Sequence, residues 1–206
     1  MYKDDWPIFE RALGQFRYNK IKKYIKSQNG NMLVCVDIGC GFNGRFLHSI
    51  SGRLKYGYGF DIRANEHTDG NIEIINNSRY GGNLPLDDGT TDVVFMLAVI
   101  EHLDVDNDIV AEGIRILKPG GRIVITTPTP AAKPVLEFLS YKCHLISEAS
   151  IREHKHYYTE AELREILENN NCVCERYSKF QMGFNEIIVG VKKGKDREII
   201  KDGHIA

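Results

Sequence analysis

Short apolar runs rich in β-branched residues recur near 33–38, 56–60, 72–76, 92–97 and 121–126, separated by polar or helix-like stretches. Runs of this length suit strands covered on both faces, and all fall far short of a membrane span. Strands joined through helices must lie parallel, because a parallel pair needs a crossover connection, so the chain is expected to form an α/β sheet. The helices are legible too. Ile8, Leu13, Phe16, Ile21, Tyr24 and Ile25 mark an amphipathic helix or two over 8–27. A helix near 104–117 is closed by Lys118-Pro119-Gly120-Gly121. Thr159-Glu-Ala-Glu162 has the form of a capping box and opens a helix that ends near 169–171. Two last apolar runs, 172–181 and 184–191, turn at Met182-Gly183 and read as a hairpin.

The chemistry concentrates where the first strand ends. Val34-Cys-Val-Asp37-Ile-Gly39-Cys-Gly41-Phe-Asn-Gly44-Arg-Phe-Leu47 joins a strand to a helix beginning at 44–51 through a turn rich in glycine. Gly39 and Gly41 remove Cβ atoms where a ligand can lie against bare backbone. The helix start offers oriented N–H groups to a carboxylate or hydroxyl. A second acid, Asp61, closes the next strand at the position where nucleoside-binding α/β folds hold ribose hydroxyls, about 20 residues on. Counted from Gly39, the spacing to Gly44 also fits the G-x-G-x-x-G of a nicotinamide dehydrogenase.

Five motifs in order resemble the class I S-adenosylmethionine-dependent methyltransferases over roughly Met32 to Val191. Asp37-Ile-Gly-Cys-Gly41 resembles the first motif and Gly59-Phe-Asp61 the second. Leu84-Pro-Leu-Asp-Asp-Gly-Thr-Thr-Asp92-Val-Val-Phe resembles the approach to the fourth strand. Leu97-Ala-Val-Ile-Glu101-His102-Leu and Ile116-Leu-Lys-Pro-Gly-Gly121-Arg-Ile-Val-Ile125 resemble the motifs around the fourth and fifth strands. The last two decide against the dehydrogenase. The resemblance implies a Rossmann-like, doubly wound, seven-stranded sheet, mostly parallel, with the final hairpin antiparallel at its edge. It implies one methyltransferase domain over 1–206, with a helical lid at 1–30, a substrate cap at 128–158 and a polar tail from 194. Only ten residues separate Asp61 from Ile72, so the helix the family places there should be shortened or lost.

The cofactor implied is S-adenosylmethionine. Asp61 would accept both ribose hydroxyls, and Asp37 would order the loop and the methionine ammonium. Gly39, Gly41, Gly44 and the Leu97 backbone would line the methionine moiety, and Arg17 would meet its carboxylate. Ile62 would cover one adenine face. Tyr80-Gly81 stands where the family often has Asp-Ala, which leaves adenine to backbone groups at Gly81 or to a ring. His102 and His156 are the candidate catalytic residues, because a neutral imidazole can take a proton from a hydroxyl acceptor. Methyl transfer to a small or medium acceptor follows, with oxygen slightly preferred.

Other readings stay open. Relatives that methylate RNA ends or quinone precursors with a metal carry a glutamate where Ala98 stands, so no metal is expected, although His154 and His156 could supply ligands. A non-catalytic module binding the cofactor or a nucleoside is the alternative of another class. The net charge of −1 and pI near 6.7 argue against nucleic acid held by bulk charge. Lysines 20, 22, 23 and 26, and 192, 193 and 195, read as solvated faces. Five cysteines without a C-x-x-C pair point to reduced, intracellular usage. The charged N-terminal residues and the lack of a long apolar run predict a cytoplasmic protein with no membrane partner.

Overall fold

The computed structural model describes residues 8–25, 31–80, 83–104, 108–143, 145 and 147–194. Gly81, Lys26, Lys195, most of the polar tail and the outer parts of the leading segment lie outside the described residues. In chain order the elements are α1 (Ile8–Ile21), β1 (Leu33–Ile38), α2 (Arg45–His48), β2 (Leu54–Asp61), β3 (His67–Asp69), β4 (Ile72–Asn76) and β5 (Thr91–Leu97). There follow α3 (Ile109–Ile116), β6 (Leu117–Pro128), α4 (Lys133–Tyr141), α5 (Glu148–Arg152), α6 (Glu160–Asn169), β7 (Cys172–Phe180) and β8 (Asn185–Lys192). The strands form one sheet in the order β3-β4-β2-β1-β5-β6-β8-β7. Strands β4, β2, β1, β5 and β6 are parallel, whereas β3 pairs antiparallel to β4 and β8 pairs antiparallel to both β6 and β7.

The sheet therefore has eight strands rather than the expected seven. The added strand β3 lies where the shortened helix was expected. Between Asp61 and Ile72 the chain folds back at Gly70, which has φ of 58°, and pairs His67 with Ile74 and Asp69 with Ile72. A three-residue strand satisfies backbone groups in a span too short for a crossover helix.

Both faces of the sheet are covered. On one, Val36, Val94, Ile123 and Ile125 pack with Ile114 of α3 and Leu163 and Leu167 of α6. On the other, Ile21 and the turn residue Ile25 pack with Cys35, Phe46, Leu47 and Phe95. Phe46 meets the Tyr18 ring at 5.0 Å and the Phe95 ring edge-on at 4.9 Å, so the leading helix is seated by aromatic contact. Each large side chain buried here contributes on the order of 1.5–3 kcal/mol.

Three local departures matter. The helix after the glycine turn is only Arg45–His48, because Ser49 and Ser51 hydroxyls donate to the Phe46 and His48 carbonyls and a turn follows at 51–53. Its dipole is correspondingly small. Strand β6 begins at Leu117 rather than 121, and the ladder shifts register between Thr91 and Val93, so Lys118–Gly121 forms a bulge at the strand's start. Lys192 is not a free surface cation. Its Nζ donates to the carbonyls of Arg115 and Leu117, each at 2.8 Å, and so caps the end of α3. The capping box is present as expected: Glu162 N–H donates to the Thr159 hydroxyl at 3.4 Å, and Thr159 N–H donates to the Glu162 carboxylate at 2.7 Å.

Candidate active site

Two groups of residues meet at the carboxyl ends of the parallel strands, where open α/β sheets bind ligands. The first is the glycine turn. Gly39 and Gly41 have φ of 77° and 73°, a region that side chains disfavour. At Gly39 an added Cβ would stand 2.2 Å from the Val99 side chain, whereas nothing lies within 4 Å of one at Gly41. Gly39 is thus fixed by packing, and Gly41 faces open space. The N–H groups of Gly39 and Cys40 both donate to the Phe60 carbonyl, at 2.7 and 3.2 Å, which locks the turn against the end of β2. Gly44, with φ of 59°, precedes α2 and lies against Ile74.

Asp61 closes the loop. Its carboxylate accepts from Gly41 N–H at 3.0 Å and from Arg63 N–H at 2.8 Å, leaving acceptor capacity on both oxygens. Asp37 is 2% exposed, and its Oδ1 is buried without a hydrogen-bond partner. Burial, and then the nearby Asp61 charge, push its carboxyl well above the usual range. A buried orphan carboxyl facing a second acid is a place prepared for a ligand cation, which would return Asp37 to its ionised form. Ile62 follows Asp61 with its side chain 62% exposed beside this cradle. Leu97 is the last residue of β5, and after it Ala98 adopts φ of 58° while its N–H donates to the Thr126 carbonyl at 2.9 Å. A non-glycine residue held there stores strain at the strand's end. A nucleoside linked to an amino acid fits this set: hydroxyl acceptors at Asp61, a cation acceptor at Asp37, an open wall at Gly41 and an apolar cover at Ile62.

The second group lies beyond β5. Glu101 and His102 form a single helical turn; Glu101 is 1% exposed and accepts from the Thr127 hydroxyl at 3.1 Å. Burial raises its carboxyl to about 7, against the lowering influence of its backbone hydrogen bond, the Arg17 charge and Thr127. Arg17 reaches this turn from α1, with its Nε buried and without a partner; burial lowers its pKa while Glu101 raises it. The Glu101 carbonyl in turn accepts the N–H groups of Lys155 and His156, at 2.7 and 3.3 Å. That main-chain clasp holds the 154–157 segment to the turn after β5.

Of the described histidines in 128–158, His154 stands beside His102, with ring centroids 4.7 Å apart and edge to face. His154 Nδ1 also meets the Tyr157 hydroxyl at 3.0 Å. The sequence had singled out His156 instead, but its Nε2 is 2.9 Å from the Glu162 carboxylate, tying it to the start of α6. Burial lowers the pKa of His102 and brings that of His154 down to about 4, so both are neutral at pH 7. His102 Nδ1 is buried without a partner, while a hydrogen bond to the Glu153 backbone works against the shift. A carbonyl can only accept, so the imidazole is the donor toward Glu153. Glu101, His102 and His154 offer ligand atoms all within 4.8 Å of one another, a spacing a cation could use.

A cleft of about 550 Å³ opens beside His154, lined by residues of α4, α5 and the irregular stretch 154–157. Arg63 spans the two groups. It follows the donor loop, and its guanidinium meets Glu153 of the cap at 3.3 Å.

A model of the methyltransferase domain family matches residues 10–177. No curated protein matches the sequence. Solved structures share the fold. The magnesium protoporphyrin IX methyltransferase of Synechocystis PCC 6803, determined with bound S-adenosylhomocysteine, is 16% identical over 93% of this chain and 90% of its own, with a TM-score of 0.64. An S-adenosylmethionine-dependent methyltransferase from Aquifex aeolicus is 18% identical over 84% and 88%, with a TM-score of 0.57. Another from Methanosarcina mazei is 18% identical over 84% and 97%, with a TM-score of 0.59. The chain belongs to the class I S-adenosylmethionine-dependent methyltransferases. It is an enzyme of that kind, and S-adenosylmethionine is its cofactor. No helix among the described residues is long and apolar enough to cross a membrane.

Asp61→Ala is expected to weaken S-adenosylhomocysteine binding about tenfold to a hundredfold. Hydrogen bonds to a charged acceptor contribute roughly 1.5–3 kcal/mol, and the substitution also frees Gly41 N–H. Calorimetry on the folded variant decides it, and unchanged affinity would remove Asp61 from the donor site.

Proposed function

We propose that the enzyme moves the methyl group to a hydroxyl of a small or medium acceptor seated under residues 128–158, with His102 as the proton acceptor. The observation that carries this reading is the buried, unpartnered Nδ1 of His102 on a ring that burial keeps neutral. When bound, S-adenosylmethionine supplies a methyl carbon activated by its sulfonium, and the in-line displacement leaves a neutral thioether. The residues of the chain do the rest. The glycine turn, Asp37, Asp61, Ile62 and Leu97 hold the donor, and α1 with Arg17 covers it as a lid. His102 Nδ1 receives the hydroxyl proton as the acceptor oxygen bonds to carbon, and His154 and the Glu153 backbone fix the ring's angle. Gly81 would meet adenine through its backbone. His156 takes a positioning role here, bracing the stretch 154–157 through Glu162, and His154 takes the place first given to it. The chain acts as one domain in this reading, with the cap as its variable part.

Conversion of donor to S-adenosylhomocysteine over a panel of hydroxyl and amine metabolites tests the reading; turnover confined to amines would refute it. A chelator is expected to leave methyl transfer intact. Ala98 stands where metal-using relatives have a carboxylate, which leaves Glu101, His102 and His154 without that further ligand. Activity lost in EDTA and restored by magnesium or manganese would instead make Glu101, His102 and His154 ligands.

A further inference from the structure

We propose that the cap cleft selects an acidic acceptor, an apolar or aromatic hydroxy compound bearing a carboxylate or phosphate, and that Lys133 is the group that holds its oxyanion. This rests on the acceptor site assigned above and adds the chemical class of what enters it. The cleft wall carries three cations, Lys133, Arg152 and Lys155, against one carboxylate, Glu137. Its two histidines add no fixed negative charge. Not all three cations are equally available. Lys155 Nζ is held by Asp104 at 2.7 Å, and Arg152 meets Glu148 at 3.4 Å. Among the described residues no carboxylate stands within ion-pair distance of Lys133, whose Nζ lies 6.0 Å from the centre of the Tyr157 ring.

The placement gives the acceptor a direction. Tyr157 joins the two ends of the cleft: its ring faces Lys133, and its hydroxyl meets His154, which touches His102. Burial, and then the charges of Glu137 and Glu101, push the Tyr157 hydroxyl up to about 12, so it stays neutral, and the oxyanion must sit at the Lys133 end, away from those carboxylates. A ring lying along Tyr157 would therefore reach the Lys133 ammonium with one end and approach the two imidazoles with the other. Lys133, in no ion pair among the described residues, would attract an oxyanion, and a concave wall focuses that field. A cleft of about 550 Å³ is of the size that takes ligands of one or two rings.

The test uses the full chain loaded with S-adenosylhomocysteine and three probes: 4-hydroxybenzoate, phenyl phosphate, and the neutral methyl 4-hydroxybenzoate. Binding is read by calorimetry and by ligand-observed magnetic resonance. At least one acidic probe is expected to bind about fivefold or more tighter than the ester, and added salt should shrink that difference. Lys133→Met should abolish the preference while leaving S-adenosylhomocysteine affinity unchanged. Which acid binds better separates carboxylate from phosphate recognition. The inference is overturned if the ester matches both acids, if the preference survives Lys133→Met, if no probe binds at millimolar concentration, or if tyramine, a cation suited to Glu137, binds best. Failure to bind S-adenosylhomocysteine would strike at the donor site instead, and a neutral hydroxyl acceptor turned over with His102 required would leave the proposed function standing without this specificity.

Discussion

His102→Gln should lower kcat for a hydroxyl acceptor about a hundredfold and leave S-adenosylhomocysteine affinity within about twofold. The side chain contacts the cap, not the glycine turn, so donor binding has no reason to change. Glutamine keeps a polar group of similar reach but cannot accept a proton at neutral pH. The pH profile separates a base from a spacer. Burial holds the His102 pKa below its ordinary 6.5, so the acid limb of the wild-type rate should lie below that value and vanish in the variant. A loss under tenfold with the acid limb intact would show that alignment alone suffices for the reaction and that His102 is a structural wedge.

Glu101→Gln should stabilise the fold above neutral pH. Folding raises the Glu101 carboxyl from 4.5 to about 7, chiefly through burial. A raised pKa means the folded state binds the proton more tightly than the unfolded state. The stabilisation is thus fully present below pH 4.5 and lost as pH rises through about 7. The shift corresponds to about 3 kcal/mol lost by wild type relative to a variant that cannot ionise. Urea titrations at pH 4.5 and 8 on both proteins give the difference of differences, which cancels contributions from other groups. The neutral amide can still accept from Thr127, so the packing is kept. Parallel stability curves for the two proteins would show that Glu101 ionises normally, its burial offset by the Arg17 charge.

Much of the scaffold was legible because its determinants are local. The strand runs, the Thr159–Glu162 capping box and the turn at Met182-Gly183 depend on residues within a few positions of one another, and all three stand where expected. The glycine turn was equally clear, since a positive φ leaves a direct trace in residue type. What escaped was set by contacts distant in sequence. Strand β3 exists because β4 offers it an edge, and its His-Thr-Asp composition gives no sign of that. Lys192 looked like one of a surface cluster, but its amine caps α3 from about 75 residues away. Which of His154 and His156 meets His102 is likewise set across the fold, although Glu162, at a helix start three residues past Thr159, is a local partner for His156 that the sequence shows.

The clasp between the cap and the Glu101 carbonyl uses only the N–H groups of Lys155 and His156. Amide hydrogens are common to every residue but proline, so this hinge point asks nothing of the side chains it fastens. On the proposed reading of 128–158 as the acceptor cap, this main-chain part of the attachment would survive a change of lining, provided neither amide position becomes proline, whereas the contacts of Arg63 with Glu153 and of Lys155 with Asp104 depend on side chains.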